Sequence, residues 1–143
     1  MNCKRYLENY QILKAERLNL IEERSLILLD EALPGAIDYA KDRVQTSPDD
    51  PMAAMMDRIS KRCEYIDKRI EKIDQRMDLI KNQINHVPDA DCKRLLWLKY
   101  IEDKTWREVA EEIETSDRHV YRLHEKSINL FKDVIVCQYS CMV

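Results

Sequence analysis

The side chains best placed to do chemistry in this sequence are its cysteines, its histidines and a run of cations and aromatics near the C-terminus. The five cysteines, Cys3, Cys63, Cys92, Cys137 and Cys141, are scattered and odd in number. They form no C-x-x-C pair, so neither a disulfide framework nor a zinc site is implied, and reduced thiols are expected. Cys137 and Cys141 stand one helical turn apart, yet two ligands alone make no metal site. His119 and His124 are five residues apart, which places them on different faces of a helix and argues against a shared metal ion. Carboxylates are plentiful but alternate with Lys and Arg along solvated faces, with no apolar pocket to shift a pKa. No catalytic residue, metal or cofactor is expected, and the chain does not read as an enzyme. The remaining chemistry is recognition, carried by Arg118, His119, Tyr121, Arg122 and Lys126 within KTWREVAEEIETSDRHVYRLHEK, residues 104–126.

Composition limits what can position these groups. A chain of 143 residues holds one ordinary domain, or a small one attached to an extended helical element. Charged residues make up 36% with a single glycine and four prolines, which favours long helices over strands joined by tight turns. With Gly35 alone, neither a P-loop nor a dinucleotide fingerprint can be built. The formal net charge of -3 offers no global basic field, so any nucleic-acid contact must rest on local charge placement. The N-terminus MNCKRYLENY lacks an apolar signal core, and no apolar run approaches membrane-span length. A soluble cytoplasmic protein, without membrane contact, is expected.

The periodicity predicts an all-α chain. Residues 3–31 carry Tyr6, Tyr10, Leu13, Leu20, Ile27 and Leu28 on or near one face, a first long helix. Pro34 and Gly35 end it, and residues 32–50 read as a linker with one short helix at AIDYAKD. Asp50 as cap and Pro51 in the first turn open a second long helix. Its seam, Met52, Met56, Ile59, Cys63, Ile66, Ile70, Ile73, Met77, Ile80, Ile84 and Val87, alternates spacings of four and three throughout. Isoleucine-rich d positions disfavour a parallel zipper, so the first helix is expected to fold back antiparallel in an αα-hairpin, residues 1–87. A monomeric hairpin and a homodimer through these N-terminal helices both remain open.

Pro88 ends the second helix, and Asp89 or Asp91 can cap the next one. Residues 88–135 read as a compact three-helix unit and 136–143 as a tail without signal. Its helices are DCKRLLWLKYI, TWREVAEEI and SDRHVYRLHEKSINLFKDVIV. Thr105 and Glu108 form a capping box that starts the middle helix. Val109, Ala110 and Ile113 give that helix its inner face, and Ser116 can cap the last, whose inner positions are Val120, Leu123, Ser127 and Leu130 or Phe131. Trp97 and Trp106 lie beside apolar stripes and read as packing residues. The face left over on the last helix is basic and aromatic, opposed only by Asp117 and Glu125. Guanidinium groups there suit guanine edges, and Lys126 suits phosphate.

LLWLKYIEDKTWREVAEEIETSDRHVYRLHEKSI resembles region 4 of bacterial sigma factors, and more closely the phage late-gene transcription regulators of the ArpU and RinA type. Leu95-Leu96, Tyr100-Ile101, Trp106, Glu108, Ala110, Ser116, Arg118 and the run Val120-Tyr121-Arg122-Leu123-His124 carry the likeness, over roughly the last third of the chain. The resemblance implies a helix-turn-helix regulator of phage or prophage late genes that binds double-stranded DNA, with RNA polymerase as a further candidate partner. Asp117, Arg118, His119, Tyr121 and Arg122 would then face bases or nearby phosphates, with Thr105, Trp106 and Arg107 near the backbone. Two positions depart from the pattern: Glu114 stands where a glycine is common in the turn, and Ser127 where alanine is usual. A coiled-coil assembly or small-terminase-like packaging protein is the competing expectation.

Overall fold

The computed structural model describes residues 2–29 and 50–141. Among them the chain is all α-helix: α1 (Cys3–Ile27), α2 (Pro51–Asn85), α3 (Ala90–Leu96) running into a π-helical turn at Trp97–Ile101, α4 (Trp106–Ile113) and α5 (Asp117–Cys141). None of these helices is long and apolar enough to cross a membrane. The expected 32–50 linker, with its short helix at residues 36–42, lies outside the described residues except for Asp50. Asp50 does cap α2, its carboxylate accepting from the Met52 N–H at 3.0 Å, with Pro51 in the first turn where its missing donor costs nothing.

The two long helices pack against each other as an antiparallel hairpin, and the chain divides into two compact units. In the unit Ala15–Asp74, Leu20 and Ile27 are buried with Ile59, Cys63, Ile66 and Ile73. Where α1 places polar residues on that face, ion pairs replace apolar contact: Arg17 Nε meets Asp74 at 2.6 Å, Arg24 Nε meets Asp67 at 2.8 Å, and Glu16 meets Arg69 at 2.9 Å. The α2 partner falls in number from Asp74 to Asp67 as the α1 residue rises from Arg17 to Arg24, which makes the pairing antiparallel. All are substantially exposed and contribute little to stability, but a slipped register would leave each charge unmatched. Two seam expectations fail here. Met56 is 49% exposed, and the register set by these pairs places it beyond the described part of α1. Leu28 is 40% exposed, being rotated about 100° from Ile27, which takes the inward position.

The second unit joins residues up to Lys14 with those from Gln75 onward. The sequence boundary at Pro88 therefore separates helices by type, whereas by packing the adjoining ends of α1 and α2 belong with α3–α5. Leu7, Ile80, Ile84, Leu95, Val109 and Phe131 are among its fully buried side chains. Gln83 is buried as well; its carbonyl accepts from the Tyr6 hydroxyl at 2.6 Å, and its amide donates to Gln138 Oε1 at 3.1 Å. This satisfied chain of polar groups fixes side chains from α1, α2 and α5 at once. It also explains why α5 continues to Cys141 where the sequence carries no apolar signal: Ile135 is buried, and the next inward position is held by the amide of Gln138.

Candidate nucleic-acid interface

Three short-range devices set the positions of α3, α4 and α5. Asp89 is the cap chosen from the two candidates, accepting from Asp91 N at 2.9 Å and Cys92 N at 3.2 Å. Those backbone donors, with the Lys126 ammonium at 3.1 Å, hold its carboxyl below the usual range. At the start of α4 the capping box closes in both directions: Thr105 N donates to Glu108 Oε2 at 2.8 Å, and Glu108 N donates to Thr105 Oγ1 at 3.3 Å. At its end Glu114 adopts φ 60°, ψ 48°, the left-handed conformation. Its N–H reaches Glu111 O at 3.2 Å, and Thr115 N reaches Ala110 O at 3.0 Å, the paired bonds of a Schellman ending. Ser116 Oγ then accepts from His119 N at 3.2 Å and starts α5. The connection thus spends three residues, Glu114 to Ser116, and brings buried Val109 and Ala110 on α4 towards buried Val120 on α5.

The outward side of α5 carries Asp117, Arg118, His119, Tyr121 and Arg122, all exposed, with Tyr121 at 52%. Arg118 and Arg122 have no carboxylate partner among the described residues. Other cations nearby are paired: Arg94 and Lys104 with Glu112, Arg107 with Glu111 at 3.8 Å, and Lys126 with Asp89. Lys126 therefore braces the α3 cap rather than standing open. The acidity of α4 is gathered on another side, where Glu108, Glu111, Glu112 and Glu114 border a groove with Arg94 and Lys104. Segregation of the two signs allows a protein of net negative charge to present a cationic face.

Thr105 and Arg107 are exposed at the start of α4 and Trp106 is half-buried between them. The indole lies 5.3 Å from the Tyr121 ring and makes an edge contact with His124 at 4.7 Å. His124 Nε2 is 2.7 Å from the Tyr100 hydroxyl. Burial pushes that hydroxyl's pKa up and, aided by the positive charges of Lys4 and Lys99, brings His124 down to about 4. With the phenol protonated and the imidazole neutral, Tyr100 donates and His124 accepts.

Tyr100 belongs to the π-helical turn, whose Tyr100 and Ile101 carbonyls accept from Gln11 Nε2 at 2.8 and 3.1 Å. Such turns commonly mark functional sites. Sequence reasoning missed the Tyr100–His124 bond, the Gln11 contact and Lys99, whose ammonium lies 4.8 Å from the Trp106 ring centroid. The first two join residues too far apart in the chain to be paired by spacing, and the third crosses from the π-helical turn to the next helix over a bend that spacing does not define.

Residues 43–132 match a family described as proteins of unknown function, DUF1492. No curated protein and no solved structure matches the chain.

Proposed function

The chain belongs to the DUF1492 family, whose description assigns no activity, and from the site itself we propose that it is a sequence-specific DNA-binding transcription regulator. The observation that carries this reading is the pair of exposed guanidinium groups, Arg118 and Arg122, on the first turns of α5 without a carboxylate partner among the described residues. Arginines so placed can enter a major groove and form bidentate contacts with guanine, while α4 crosses the backbone at its capped end. Tyr121 and His119 supply further contacts from the same turns. The resemblance to ArpU- and RinA-type regulators adds the context of phage or prophage late genes, with RNA polymerase and a second copy of the chain as candidate partners.

The test is a gel shift with DNA from the chain's own operon at two salt concentrations. Binding that weakens steeply with salt is expected, since each neutralised phosphate releases counterions. Arg118→Ala and Arg122→Ala should each cost about 1–3 kcal/mol on the preferred site and relax discrimination there. Unchanged affinity in both variants would remove α5 from the interface. The competing reading, a coiled-coil assembly or packaging protein, is favoured by the exposed Leu18, Leu26 and Leu29 of the N-terminal helix; it predicts self-association and no preference among DNA sequences.

A further inference from the structure

The cationic face of α5 continues across Trp106 onto a residue outside the two crossing helices. Tyr121, on that face, lies against Trp106 at 5.3 Å, and on the same indole sits the Lys99 ammonium, 4.8 Å from the ring centroid. A second anchor fixes this cation, for Lys99 Nζ donates to the Lys104 carbonyl at 3.3 Å, one residue before the Thr105 cap. Lys99 comes from the π-helical turn, and its side chain is half-buried. It has no carboxylate partner among the described residues. An ammonium has three donors, and a carbonyl and a ring face occupy at most two, so one remains for an incoming acceptor.

Lysine side chains normally lose much rotamer freedom on binding. Here the stem is already held by the ring and the carbonyl, so an anion would meet a preorganised cation. An open groove of about 330 Å³ beside it is bordered by Lys4, Glu8, Gln11, Tyr100, Asp103 and Trp106. Glu8 and Asp103 make the groove unsuitable for a freely bound anion. A phosphate presented by a strand already docked on α5 needs no such pocket, because the neighbouring contacts hold it in place.

Resting on the DNA-binding reading, we infer that Lys99 is a phosphate-binding residue of the same interface, gripping the DNA backbone beside the start of α4 through an ammonium preset by Trp106 and the Lys104 carbonyl. It contributes affinity without sequence information, in contrast to Arg118 and Arg122. The π-helical turn thereby becomes part of the interface, since it determines where Lys99 projects.

The experiment compares the wild-type chain with Lys99→Met, which keeps an unbranched stem over the indole and removes the charge, and Lys99→Arg, which restores a cation. Dissociation constants are measured over a salt series on the preferred site and on unrelated duplex DNA. Loss of one phosphate contact lowers the slope of log affinity against log salt by about 0.9, so the wild-type advantage over Lys99→Met should shrink roughly 3.5-fold as salt is raised fourfold. The loss should be equal on both DNAs, and Lys99→Arg should return the slope to the wild-type value. An unchanged slope in Lys99→Met, in a protein whose affinity still falls on Arg122→Ala, overturns the assignment of Lys99 alone. Absence of DNA binding by the wild type at every salt concentration overturns the reading of α5, and this one with it. A slope lowered in Lys99→Met but not restored in Lys99→Arg would trace the effect to packing on Trp106, and also overturns the proposal.

Discussion

Replacing Glu114 by glycine should stabilise the protein, and the size of the gain can be worked from the turn it occupies. Glu114 stands at φ 60°, where a β-carbon meets the following carbonyl at a cost of about 1–2 kcal/mol. Glycine removes that cost but returns about 0.4–1 kcal/mol through the greater freedom of the unfolded chain. A second gain comes from charge. The carboxylate ends α4 where carbonyls point outward, beside Glu108, Glu111 and Glu112, and removing a negative charge from a helix C-terminus is worth about 0.3–1 kcal/mol. The balance favours Glu114→Gly by roughly 1 kcal/mol, a rise in Tm of about 2–5 °C for a chain of this size. Thermal unfolding followed by circular dichroism measures it, and Glu114→Ala separates the two contributions. Alanine loses the charge and keeps the β-carbon, so it should gain only the charge contribution of about 0.3–1 kcal/mol, with glycine above it. If glycine and alanine melt together, the backbone strain is absent. If glycine melts below wild type, the turn is not as described.

Two other perturbations have defined outcomes. His124 is depressed to about 4 from an unperturbed value near 6.5, so the unfolded chain takes up its proton first. Its contribution is complete above about pH 6.5 and is lost as the pH falls towards 4, on the order of 2 kcal/mol once partial exposure is allowed for. Denaturant titrations across that window should show the loss, and His124→Gln should flatten it; a wild-type curve flat from about pH 6.5 to about 4.5 would contradict the buried neutral imidazole. Ser127, fully buried with its hydroxyl donating to Leu123 O at 2.7 Å, should tolerate Ser127→Ala within about 1 kcal/mol, because that carbonyl keeps its place in the helix ladder. A larger loss in urea midpoint would show that the hydroxyl has a further structural task.

Much of the fold could be read from local signals because local chemistry decides it. The α2 seam from Ile59 onward, the Asp50 cap before Pro51, the stop at Pro88 and the capping box at Thr105 each depend on neighbours a few residues away. The turn position of Glu114 came from the resemblance, and its left-handed conformation is what the structure adds. What escaped depends on long-range partners. Gln11 serves the carbonyls of a turn some ninety residues later, and Tyr100 bonds His124 from a different helix. Gln138 holds an inward position although its side chain is polar, which hid the last turns of α5. At the candidate interface the outward placement of Arg118, His119, Tyr121 and Arg122 was legible from helical periodicity. The commitment of Lys126 to Asp89 and of Lys99 to Trp106 was not, since both need the tertiary fold.

The division of one compact unit between the two ends of the chain has a consequence for the order of events during synthesis. Tyr6 meets Phe131 at a ring separation of 6.0 Å, so the partner of Tyr6 leaves the ribosome only after about 125 more residues have been added. At elongation speeds of about 5–20 residues per second this is a wait of roughly 6–25 s. Leu7, which ends with no exposed surface, must spend that interval in water, on α2 once Gln75–Asn85 has emerged, or on a chaperone. The start of α1 is thus made well before the helices that cover it and is among the last parts to find its place, and arrest of translation before α3 would release an apolar helix face with no later helices to cover it.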